Sequence, residues 1–148
     1  MTIAVSGTHP HVALRRVAPD PVQFQVILGS LLGDARLVGR PHLRRMRIAH
    51  RATRRDYVWW KYDRLAMFVM DPPMEHDGLM AFETVPHPIF DDLARLFRGA
   101  GGMGHARRDA IAKLVRPLGL AVWLADVERL ELRAREFSPE QREVALAS

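Results

Sequence analysis

The 148-residue sequence contains no cysteine. That excludes a disulfide framework, a thiol nucleophile and a cysteine-based zinc site, and leaves histidine and carboxylate as the only strong ligands for a metal. Long apolar runs are missing as well. The stretches Val26 to Leu32 and Leu118 to Ala125 fall far below the roughly 20 residues needed to cross a bilayer. Met1 to Asp20, interrupted by Arg15-Arg16, holds no apolar run of signal-peptide length. The expectation is a soluble cytoplasmic chain with no membrane partner. The glycine-rich stretch Gly99 to Gly104 is not followed by Gly-Lys-Ser/Thr, so it is no phosphate loop. At 48% hydrophobic and 26% charged, with 10 Gly and 10 Pro, the composition excludes wholesale disorder and collagen and supports one domain.

Lysine is scarce: of 22 basic residues 20 are Arg, and the net charge is +5. Between Ala35 and Leu65 ten basic residues face two acids, so this stretch carries +8 and the remainder of the chain −3. Asp71, Glu75, Asp77, Glu83, Asp91 and Asp92 then follow with no Lys or Arg among them. A high genomic GC content would enrich Arg over Lys, but it does not explain the clustering. Concentrated guanidinium charge suits bidentate contact with phosphate or guanine, and marks a candidate nucleic-acid surface.

Hydrophobic spacing organises the rest. Phe24, Ile27, Leu28, Leu31 and Leu32 predict a helix over Pro21 to Asp34, with Gly29 and Gly33 as a small pair on it. Two glycines inside a helix cost about 1 kcal/mol each against alanine, so a close neighbour is expected to need them. Leu43 to Arg51 alternates, Met46 and Ile48 against Arg45, Arg47 and Arg51, as a half-buried strand does. Thr53 is placed to cap a helix over Arg54 to Met67, whose Tyr57, Trp59, Trp60 and Tyr62 suit core packing better than base stacking. Strands at Phe68–Met70 and Leu79–Thr84 are expected to form a hairpin around Asp71-Pro72-Pro73 and Asp77-Gly78. Helices follow over Pro88 to Phe97, Asp109 to Leu114 and Pro117 to Val127, the last with Ala121 and Ala125 at small-residue spacing. Leu130, Leu132 and Ala134, alternating with Glu131, Arg133 and Arg135, read as a strand, and Ser138-Pro139-Glu140-Gln141 as a capping box. His9 and His11 lack a third ligand for a metal site.

Several segments, in order, resemble the two-motif LAGLIDADG homing endonucleases: "ILGSLLGDARL" from Ile27, "YVWWKYDRL" from Tyr57, "LMAFETVPHPIFDDLARLF" from Leu79, and "LVRPLGLAVWLADV" with "FSPEQREV" between Leu114 and Val144. The resemblance implies an α+β fold in which two motif helices pack at the centre through small residues, here Gly29, Gly33, Ala121 and Ala125. An antiparallel sheet saddle would lie over the DNA major groove. It implies a double-stranded DNA partner, with RNA the partner in a maturase-like alternative, and Mg²⁺-dependent phosphodiester cleavage. Asp34 takes the place of the first catalytic, metal-binding acid. Members often read "WFMDDG" at the end of the second motif, whereas this chain reads "WLADVE". Asp126 matches the first Asp, Val127 replaces the second and Glu128 replaces the glycine. Asp126 is the second catalytic candidate by helix spacing, and Glu128 the alternative metal ligand. The DNA-contact candidates are Arg36, Arg40, Arg44, Arg45, Arg47, Arg51, Arg133 and Arg135.

The expected organisation is an extended leader over 1–20, a first repeat over about 21–98, a linker over 99–107 and a shortened second repeat over 108–148. Most of a second DNA-reading sheet is absent from that second repeat, which allows either a monomer gripping half a site or a homodimer. A noncatalytic DNA-binding regulator is the alternative to the nuclease.

Overall fold

In a computed structural model the described residues are 17–98 and 105–136, with side chains described over 17–97 and 109–127. His9, His11, Gly99 to Gly104 and the Ser138 to Gln141 capping box lie outside them. Helix α1 (Pro21–Leu32) starts on a reciprocal cap: the Gln23 amide donates to Asp20 Oδ1 at 2.8 Å and the Asp20 amide donates to Gln23 Oε1 at 3.0 Å. Pro21 sits where its missing N–H costs nothing. The helix ends at Gly33.

Strands β1 (Arg36–Val38), β2 (Arg45–Arg51), β3 (Met74–His76) and β4 (Leu79–Glu83) form an antiparallel sheet in the order β1-β2-β4-β3. Met46, Ile48, His50, Met80 and Phe82 point to the buried face and join α1 residues Val26, Ile27 and Leu28 in the core. Helix α2 (Arg55–Leu65), linking the two halves of the sheet, adds Val58 and Leu65; α3 (Pro88–Arg98) adds Phe90 and Leu93. Helices α4 (His105–Leu114) and α5 (Pro117–Glu136) complete the described chain. The architecture is α+β, with helices covering one face of the sheet. Among the described residues no helix is long and apolar enough to cross a membrane.

Four local expectations are corrected. The hairpin strand is Met74–His76, with Phe68–Met70 reduced to a single bridge between Val69 and Thr84. Asp77 (φ 50°) and Gly78 (φ 74°) both take the left-handed region that a tight two-residue hairpin needs, so His76 pairs with Leu79, and Pro72-Pro73 upstream cannot extend the ladder. Ala52–Arg54 forms a 3-10 turn, and α2 has no side-chain cap from Thr53. The backbone over Leu130 to Ala134 is helical, part of α5. Leu, Glu, Arg and Ala are all strong helix formers, and five alternating residues are too few to outweigh that preference. Finally, Ala121 is exposed, and α1 meets α5 at Gly119, Val122 and Asp126 instead.

That seam has no spare volume. A methyl group at Gly29 would collide with the Gly119 carbonyl oxygen and come within 2.8 Å of Val122 Cβ; one at Gly33 would come within 2.5 Å of Asp126 Cβ. Buried Gln25 bonds across the seam, donating Nε2–H to the Leu114 carbonyl at 2.9 Å and accepting the Arg116 amide at 2.7 Å. Gly29→Ala is therefore expected to destabilise the fold by about 1–3 kcal/mol in chemical denaturation, despite alanine's better helix propensity. Ala121→Leu should stay within about 0.5 kcal/mol of wild type.

Candidate functional site

The outward face of the sheet follows from the register. Arg47 on β2 sits between Arg36 on β1 and Glu83 on β4, while Arg51 sits beside Leu79. Because side chains alternate, Arg45, Arg47 and Arg51 share the face opposite Met46, Ile48 and His50. Arg36, Arg47 and Arg51 are exposed and Arg45 half-buried. Arg36 directly opposite Arg47 is a like-charge pair, which destabilises an isolated sheet.

Not every predicted arginine lies there. Arg44 Nε pairs with Asp91 Oδ1 at 3.1 Å, so this side chain ties the start of β2 to α3 and is largely covered. Arg54 donates to the Ala125 carbonyl at 3.1 Å, and Arg55 pairs with Glu75 at 3.2 Å. Arg40 lies exposed in the β1–β2 connection. Arg133 and Arg135 lie on α5, with side chains outside the described residues. Trp59 is 39% exposed, whereas Trp60 and Tyr62 pack against the core.

On the opposite side of β2 lies a buried polar ring, hydrogen-bonded throughout except between His50 Nδ1 and Asp34 Oδ2. Asp126 and Lys61 are both fully buried. Lys61 Nζ donates to Asp126 Oδ1 at 2.9 Å and Oδ2 at 3.1 Å, and Tyr57 donates its hydroxyl to Oδ1 at 2.6 Å. Asp126 Oδ2 also accepts the backbone N–H of Asp34 at 3.1 Å, capping the end of α1. Lys61 Nζ lies 3.2 Å from His50 Nε2, whose other ring nitrogen Nδ1 lies 3.6 Å from Asp34 Oδ2. An ammonium has protons and no lone pair, so the short contact makes His50 Nε2 the acceptor and puts the ring proton on Nδ1, toward the Asp34 carboxylate. The chain of groups thus runs from the Asp34 carboxylate through His50, Lys61 and Asp126 back to the Asp34 amide. Burial pulls the Lys61 pKa down, against the Asp126 carboxylate that supports its charge. Burial, followed by the bond to Asp126, pushes the Tyr57 hydroxyl up.

This geometry separates the predicted acids. Asp34 stands just past α1, with its side chain 26% exposed. Asp126 lies in the middle of α5 rather than at its tip, and each of its oxygens already accepts hydrogen bonds. α5 continues through Glu128, and positions two apart on a continuous helix do not share a face. Among the described residues no group of three or more His, Asp or Glu could hold a metal ion. Asp126 would have to abandon its ion pair to bind a cation. Lys61, His50 and Gln25 were not singled out by spacing, and Tyr57 was read only as a core aromatic. The one sequence signal for Lys61 was a lone lysine on the apolar side of α2 in an arginine-rich chain.

Removing one member of a buried ion pair strands the other. Lys61→Met and Asp126→Asn are each expected to cost about 3–5 kcal/mol in chemical denaturation. The double variant should be about 1–3 kcal/mol more stable than the sum of the two losses, because no uncompensated charge is left inside.

Residues 24–145 match the LAGLIDADG DNA endonuclease family. Among curated proteins the chain is similar to Protein RecA of Mycolicibacterium chitae, 32% identical over 116 residues covering 76% of this chain and 27% of that protein. It is also similar to Protein RecA of Mycolicibacterium fallax, 31% identical over 134 residues covering 88% of this chain and 31% of that protein. The chain thus spans less than a third of these relatives' length. Among solved structures it is similar to the homing endonuclease I-WcaI bound to its DNA recognition sequence, with a TM-score of 0.59 at 18% identity, covering 74% of this chain and 52% of that one. The small-residue helix seam, the antiparallel sheet and a family match spanning both helices together make this chain a member of the LAGLIDADG DNA endonuclease family.

Proposed function

We propose that the chain binds double-stranded DNA through the outward face of its sheet. The observation that carries this reading is the arrangement of Arg36, Arg45, Arg47 and Arg51 on one surface, four cations that the single Glu83 carboxylate beside Arg45 and Arg47 offsets only in part. The B-form major groove, about 12 Å wide, is open to side chains projecting from the outward face of such a sheet. The deep, narrow major groove of duplex RNA excludes it, so the DNA reading is preferred to the maturase-like one. The fold shared with a DNA-bound homing endonuclease, and the family, support the same reading. The division into a first repeat over 21–98 and a shortened second over 108–148 accords with α1 and α5 packing as a pair.

For catalysis the noncatalytic alternative fits the geometry better. Mg²⁺-dependent cleavage in the expected form needs two acids presented together, but Asp126 serves as the buried partner of Lys61 and Val127 offers no ligand. The role of Asp126 is then to fix the end of α1 that carries Asp34.

Two measurements test these statements. In fluorescence anisotropy, affinity for duplex DNA should fall steeply with salt and exceed that for duplex RNA. Arg47→Ala or Arg51→Ala should each flatten the log–log salt slope by about 1 if the lost contact is to phosphate. Salt-insensitive or absent binding contradicts the reading. Supercoiled plasmid incubated with Mg²⁺ or Mn²⁺ should stay uncut. Cleavage abolished by Asp34→Asn would restore the nuclease reading.

A further inference from the structure

Among the outward-facing positions of the described strands Glu83 is the one carboxylate, and it stands at the end of β4 beside Arg47, which separates it from Arg36. Its Oε2 accepts Arg45 Nε–H at 2.6 Å and its Oε1 accepts Arg47 Nη1 at 3.4 Å. The hydrogen bond from Arg45 holds the Glu83 carboxyl below its usual range, against the opposing effect of partial burial. A surface selected for phosphate attraction alone gains nothing from a negative charge bonded to two of its arginines, since that charge cancels part of the field that draws the backbone in.

The geometry around Arg45 supplies a reason for the acid. Engagement through Nε leaves the two terminal nitrogens, Nη1 and Nη2, for another partner. On the other side Gly39 makes room: a Cβ there would lie 2.9 Å from Arg45 Nη1. Gly39 also takes φ 90°, in the region where glycine is preferred. The guanidinium is therefore held by a carboxylate on one side and closely bounded by backbone on the other. A guanidinium held this way is a fixed fork, and a fixed fork suits the O6 and N7 acceptors of guanine better than a mobile phosphate contact.

Resting on the duplex-binding reading, we propose that Glu83 is a specificity-determining residue. It orients Arg45 as a bidentate reader of a guanine edge, and its charge weakens sequence-independent attachment to phosphate. Arg47, held only at 3.4 Å, keeps more freedom and is a backbone contact.

The test begins by selecting a preferred duplex from a random-sequence DNA pool with the wild-type chain. Affinities for that duplex and for a scrambled duplex of the same composition are then measured across a salt series. For Glu83→Ala the scrambled duplex should bind about three- to tenfold more tightly, with a salt slope steeper by about 1. The ratio of preferred to scrambled affinity should fall about five- to hundredfold, the range of one bidentate base contact. Glu83→Gln keeps an oxygen for Arg45 but no charge. It should give the same tightening with a smaller loss of discrimination, and it carries the test if the alanine variant fails to fold. Arg45→Ala should lose discrimination to a similar extent, and adding Glu83→Ala to it should lower the ratio no further. A Glu83→Gln variant that leaves both the ratio and scrambled binding unchanged, or weakens both duplexes equally, overturns the role of Glu83 while leaving duplex binding intact. No duplex binding by the wild-type chain overturns the parent reading and this one together.

Discussion

The ion pair between Lys61 and Asp126 constrains everything around it. Both groups are shut away from water, and a single charge left in that environment would cost far more than the pair does. The pair therefore holds α2 against α5, and through the Asp126 carboxylate holds α5 against the end of α1. The glycine contacts bring the backbones close, but small residues alone permit several sliding registers. The buried pair favours the observed one, in which Lys61, Tyr57 and the Asp34 amide all bond to the Asp126 carboxylate together.

Strand β2 carries that constraint to the surface. His50, on its inner face, touches Lys61 and faces Asp34, while its neighbours Ala49 and Arg51 point outward. The two-residue period of a strand thus joins a dry polar ring on one side to an open guanidinium surface on the other. A one-residue slip would move His50 into solvent and the arginines into the core, so the ring also fixes the register of the reading face. Arg44, one residue before the strand, locks its start to Asp91 on α3. The same residue type serves as a structural tie at one position and a solvent-facing cation at the next.

Patterns that depend on near neighbours were legible in the sequence. The stripe from Phe24 to Leu32, the alternation through Met46 and Ile48, and the Asp77-Gly78 turn each foretold their element, because helix period, strand period and turn chemistry are local properties. The small pair at Gly29 and Gly33 correctly announced a close neighbour. Its partner was misplaced onto Ala121, which is exposed, since the face that α5 turns inward is decided by Gly119, Val122 and Asp126 acting with Gln25, which no spacing rule weighs. The candidate site was harder to read. Asp126 resembled a metal-binding acid, and its real neighbours are 65 and 92 residues away in the chain. Likewise, the charge cluster from Arg36 to Arg55 was plain, but which arginines face outward needed the register: Arg44 and Arg54 turned to partners on α3 and α5, and Arg55 to an exposed pair with Glu75.

The central claim is that the sheet's outward face, held in register by the buried ring on the other side of β2, is where duplex DNA sits. Titrating the isotope-labelled chain with duplex DNA and following amide resonances tests it most directly. Salt-sensitive shifts are expected to concentrate at Arg36, Arg45, Arg47, Arg51 and Glu83, with the amides of α3 unmoved. Shifts centred on α3, or none at all at a duplex concentration that saturates an independent binding assay, would contradict it.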